Sequence, residues 1–257
     1  MNSFPAISDH IIAFLFGMVL PVFSGFRAAR GFKTLRFDEA QRRRFYFFNS
    51  LFLWTVTIIV LLNWWLHGRS AADLGITKSP QFPAIVIILS GGFIVLYILE
   101  IAISAGNETG MKKKHWTEVA PFLPDSYRQL PAYIFMCVTA GICEEIIFRG
   151  FLITYTKTFF ETDLPAILIP AAVFAVAHYY QRTSAVIKIF LLSVIFGFIF
   201  LRSGSLWIVM FLHFAIDLAG GLIIMKYHYK EEKVINSASP AEPPDATAND
   251  NTTNEET

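Results

Sequence analysis

Seven apolar runs, at about 10–26, 45–66, 82–105, 130–152, 163–180, 184–201 and 205–226, govern what this chain can fold into. The hydrocarbon core of a bilayer is about 30 Å thick, which a helix crosses with roughly 20 residues. In lipid every backbone N–H and C=O must be satisfied inside the segment, so the runs read as helices and not as strands. The expected fold class is all-α: a polytopic membrane protein of about seven transmembrane helices. Composition agrees, with 16% charged and 54% hydrophobic residues and a mean hydropathy of +0.51. A soluble domain carries about 25% charged residues, so a water-facing enzyme is excluded. A formal net charge of +1 leaves no basic field for nucleic acid.

Basic residues set the expected orientation. Arg27, Arg30, Lys33, Arg36, Arg42, Arg43 and Arg44 follow the first span, and Lys112, Lys113, Lys114 and Arg128 follow the third. Arg182 and Lys188 flank the fifth connection, and Lys226, Lys230 and Lys233 follow the seventh span. These alternate segments hold most of the 21 Lys and Arg and are expected in the cytoplasm, with the N-terminus outside and the C-terminus inside. The first run is preceded by MNSFPAISDH, which lacks both a basic n-region and a cleavage site, so it reads as a retained helix. Residues 1–234 are expected to form one membrane domain. Residues 235–257, rich in Ser, Pro, Asn, Thr and acidic side chains, are expected to be a disordered tail. Cys137 and Cys143 are six apart in one helical run and point to different faces, which argues against a disulfide.

A charge at a helix centre costs roughly 2.5–3.5 kcal/mol on insertion scales, so each one needs a reason. The fourth span holds Glu144, Glu145 and Arg149, the fifth His178, and the seventh His213 and Asp217. Glu145 and Arg149 are four apart and can pair, as can His213 and Asp217. Glu144 is turned about 100° from Glu145 and is left out of that pair. Glu144 lies about 17 residues before the turn near Glu161 and His178 about 17 after it, so both reach a similar depth. Glu100, near a basic segment, reads as half of an interfacial ion pair. Six polar groups on three spans fit a buried pocket better than isolated packing residues.

Three chemistries fit such a pocket. In the first, Glu144 acts as general base on a water, His178 shares the water or protonates the leaving amine, and His213 donates to the oxyanion. In the second, two His and a carboxylate hold zinc, which is weaker because no HExxH occurs. In the third, Glu, His and Arg form an ion or proton path, although no inverted repeat is evident.

At these residues the chain resembles a known family. EEIIFR (Glu144 to Arg149), FAVAH (Phe174 to His178) and HFAID (His213 to Asp217) match EExxxR, FxxxH and HxxxD/N. These are the signatures of the CPBP or Abi membrane proteins, which include the Ras-converting CAAX endopeptidases. The resemblance covers about 130–225, and GRSAADLGIT at 68–77 also looks like bacterial members. It implies a glutamate-dependent intramembrane endopeptidase without a metal cofactor, in which Glu144 activates water and His178 assists. Glu145 and Arg149 then orient and balance that carboxylate, while His213 and Asp217 bind the oxyanion or the substrate carbonyl. Asn at the last position can donate a hydrogen bond, whereas ionised Asp cannot. Asp217 therefore either carries a proton or fixes the tautomer of His213, and we favour the second. The implied partners are a peptide or membrane-protein substrate and the bilayer, with the short loops and tail suggesting a bacterial cytoplasmic membrane. A non-proteolytic scaffold or immunity protein is the other reading that the family leaves open.

Overall fold

A computed structural model describes residues 4–31, 37–106, 122–181 and 183–238. Among the described residues the elements are all helical. They comprise α1 (Ile7–Gly31), α2 (Glu39–Leu66), α3 (Ala84–Gly106), α4 (Leu130–Thr156), α5 (Asp163–Ala177), α6 (Thr183–Ser203) and α7 (Trp207–Ala238). Stretches of α1, α2, α4 and α6 are long and apolar enough to cross a membrane. Ala84–Glu100, Asp163–Ala177 and Trp207–Ile223 are shorter apolar helices. The chain is thus an all-α membrane protein.

Local chemistry sets several helix ends. At the start of α2 the Asp38 carboxylate accepts the Gln41 N–H at 2.7 Å, and the Gln41 side chain accepts the Asp38 N–H at 3.0 Å. The helix ends at His67, and Gly68 takes the left-handed conformation with φ 66°. Helix α5 stops at Ala177, short of the expected 180. Its own His178 side chain meets the Phe174 carbonyl, Nδ1 to O 2.8 Å, and so closes the last turn. Conversely, α7 runs on through Ile235 to Ala238, into the stretch expected to begin the tail. The tail beyond Ala238 lies outside the described residues.

Helix α4 is the centre of the fold. Ile147, Phe148, Phe151 and Leu152 pack with Ile12 of α1 and Val60 and Trp64 of α2, while Ile146 and Ile153 pack with Ile199 and Phe200 of α6 and Val209 of α7. Gly141 lets α4 and α7 approach closely, since a Cβ there would fall 3.0 Å from the Met210 carbonyl oxygen and 3.2 Å from the Phe214 nitrogen. Between membrane helices, where lipid competes equally for apolar surface, small residues of this kind allow tight packing. Cys137 and Cys143 are both buried and free, as their spacing implied. Glu100 pairs with Lys188, joining α3 to α6.

One buried ion pair was not foreseen. Asp9, fully buried, accepts from both terminal nitrogens of Arg69 (2.8 and 2.6 Å) and from Asn63 (2.7 Å). The Arg69 guanidinium also lies over the rings of Phe4 and Trp64. This pair ties the start of α1 to the segment 68–77, whose Gly75 carbonyl accepts the Leu206 N–H at 3.0 Å and so holds the start of α7.

Candidate active site

The site begins with a change of helix geometry. From Ile146 to Ile153, α4 opens from α into π form immediately after Glu145. Such wide turns are rare and are frequently found at functional sites. Glu145 faces inward and is fully buried, and its Oε1 lies 2.7 Å from Arg149 Nη1 and 2.7 Å from His213 Nδ1. Arg149 donates from Nη2 to Ser193 Oγ of α6 at 3.1 Å. Its guanidinium sits 4.8 Å from the Phe174 ring centre and 5.5 Å from that of Phe196. Two aromatic faces thus support a cation that lipid would not solvate.

Glu144 is placed differently. Its side chain is 17% exposed and makes no hydrogen bond among the described residues. Its neighbour is Nε2 of His213, 3.7 Å from Oε2. Asp217, one turn further along α7 and 35% exposed, lies 3.6 Å from the same nitrogen. One imidazole therefore faces three carboxylates: Glu145 at Nδ1, and Glu144 and Asp217 at Nε2. The sequence reading gave the tautomer of His213 to Asp217. The contact at hydrogen-bond distance comes from Glu145 instead, so a proton on Nδ1 is directed there.

His178 joins through an aromatic bridge. Its ring lies 4.6 Å from that of Phe174, and Phe174 meets the His213 ring edge-on at 6.1 Å. With Nδ1 turned to the Phe174 carbonyl, Nε2 is the nitrogen left for chemistry. Five of the six expected residues (Glu144, Glu145, Arg149, His213 and Asp217) are thus in direct contact, and the sixth shares a ring with them.

Other residues of the site escaped the sequence reading. Ser193 and Phe196 are three apart on one face of α6, in a run of apolar residues that gives no local sign of a site. Tyr133 donates from its hydroxyl to the Asp217 carbonyl at 2.7 Å, and Tyr97 donates to the Ile216 carbonyl at 3.0 Å. Gly221 makes room for Tyr133, since a Cβ there would fall 2.2 Å from its ring. Among the described residues no group of three or more His, Cys, Asp or Glu side chains is arranged to hold a metal ion.

Residues 126–219 match the family described as type II CAAX prenyl endopeptidase, Rce1-like. The match takes in α4, α5, α6 and the part of α7 that carries His213 and Asp217, and with them every residue of the cluster. No curated protein and no solved structure matches the chain.

Proposed function

We propose that this chain, whose residues 126–219 match the Rce1-like family of type II CAAX prenyl endopeptidases, hydrolyses peptide bonds with a water activated by Glu144. The observation that carries the reading is the contrast between adjacent carboxylates. Glu145 is buried and held by Arg149 and His213, whereas Glu144 is partly exposed and has no hydrogen-bond partner among the described residues. A general base must be reachable by the water it deprotonates, and of the two carboxylates only Glu144 is partly exposed.

The chemistry balances on these residues. Glu144 accepts a proton as the water oxygen bonds to the scissile carbonyl carbon, and Nε2 of His178 accepts the second water hydrogen as a hydrogen bond. His213, as an imidazolium with Nδ1 donating to Glu145, donates from Nε2 to the tetrahedral oxygen. When the C–N bond breaks, the proton held by Glu144 passes to the departing amine. One water is consumed, one acid and one amine leave, and Glu144 returns to its starting state. The substrate is a peptide or a membrane-associated protein segment. With the basic connections in the cytoplasm the N-terminus lies outside, and a bacterial cytoplasmic membrane is the expected setting.

The deciding experiment compares peptide and protein termini in membranes of cells carrying the wild type or His178→Ala. New termini confined to the wild type are expected. Identical termini, with both proteins folded, would favour a scaffold or an ion-coupled transporter, and proton flux in liposomes would separate those two.

The reading is metal-independent. Activity is expected to survive chelation, with elemental analysis of the purified protein as the check. Stoichiometric zinc whose removal stops turnover would overturn it. Asp217→Asn is expected to keep the fold and lower turnover by about tenfold, because the charge beside Nε2 of His213 is lost while the Glu145 contact remains. Wild-type turnover in that variant would take Asp217 out of the site.

A further inference from the structure

The start of α2 carries a surface that the peptidase reading does not use. Of the triplet Arg42 to Arg44, Arg42 is committed to the protein: it is buried, pairs with Asp125 at 2.5 Å and donates to Gln129 at 3.1 Å. Arg43 and Arg44 are exposed and hold no hydrogen bond or ion pair among the described residues. Glu39, one turn before Arg43, makes no ion pair with it. The two adjacent cations repel one another, and an anion held between them offsets that repulsion.

The apolar half of the surface is continuous with the charged half. Phe47 follows Arg43 by one turn and Phe48 follows Arg44, at 60% and 61% exposure, with Leu51 and Phe52 next along the same strip. Ala40, Arg43, Arg44, Phe47 and Phe48 border a shallow groove of about 600 Å³. Cationic end and apolar strip thus share one helix face, in the order in which a phospholipid presents its phosphate and its acyl chains.

We propose that this face of α2 binds an anionic phospholipid, with its phosphate on Arg43 and Arg44 and an acyl chain along Phe47, Phe48, Leu51 and Phe52. A guanidinium forks onto two phosphate oxygens, which suits this headgroup. A zwitterionic lipid brings its own cation to the same place, and free phosphate leaves the apolar strip uncovered. The surface is separate from Glu144, so this assignment stands or falls independently of the peptidase reading.

The test is native mass spectrometry of the full chain in neutral detergent, titrated with phosphatidylglycerol or phosphatidylcholine. Phosphatidylglycerol is expected to bind roughly tenfold tighter, in line with the pull of cationic side chains on anionic lipid. Arg43→Gln with Arg44→Gln should bring the two affinities together while circular dichroism stays unchanged. Arg27→Gln with Arg30→Gln should leave the preference intact. Equal binding of both lipids by the wild type would overturn the proposal, as would a preference that survives in the Arg43/Arg44 double variant. Displacement of the lipid by glycerol phosphate at equal concentration would also overturn it, because the acyl strip would then contribute nothing.

Discussion

Glu144→Gln is expected to yield a folded protein whose turnover is lower by about 10²- to 10⁴-fold, the range that a positioned general base contributes. The amide keeps the shape of the carboxylate and removes its capacity to take a proton. Because Glu144 makes no hydrogen bond among the described residues, little else should change, and thermal unfolding in detergent should stay close to that of the wild type. Glu145→Gln should behave in the opposite way. That carboxylate accepts from Arg149 and from His213, so its loss disturbs two helices and lowers stability together with activity. The pair of variants, measured for unfolding and for product formation, separates the reacting carboxylate from the holding one. Near-wild-type turnover in Glu144→Gln would end the mechanism as written.

Arg149→Ala is expected to cost about 3–5 kcal/mol of stability, because it strands the fully buried Glu145 without its cation. The side chain also leaves Ser193 and two aromatic faces unpartnered. Loss of the folded species in detergent, read by size exclusion and by unfolding midpoint, is the check. Replacing both members, Glu145→Gln with Arg149→Met, should recover part of that stability and remain inactive, since no charge is then stranded but His213 has lost its carboxylate. A single Arg149→Ala variant as stable as the wild type would mean that Glu145 is reached by solvent.

Much of the site was legible because it is written in local spacing. A pair four apart on a helix meets wherever the helix packs, and Glu145 with Arg149 does so. The separate character of Glu144 followed from the same rotation. Ser193 and Phe196 were not legible, because a hydroxyl and a phenyl ring in an apolar run reach Arg149 only through the packing of α6. The contact between Glu145 and His213 is of the same kind. It spans 68 residues, and the close approach at Gly141 makes it possible. The end of α5 was misplaced by hydropathy, which scores His178, Tyr179 and Tyr180 by type and cannot register that an imidazole closes its own helix. Asp9 was passed over because it stands at the mouth of a span, where a single acid is unremarkable until Arg69 folds back onto it.

The pairing of Glu145 with Arg149 inside one helix bears on how such a chain is made. Helix α4 is synthesised before α7, so at the moment of its release into lipid neither His213 nor Asp217 exists. An acid whose only partner arrived later would have to enter lipid either protonated or as a bare charge. Here the neutralising cation is four residues away on the same segment and emerges with it. At about 5–20 residues per second, α7 follows within seconds. The pocket is then completed by a helix docking onto an acid already at rest.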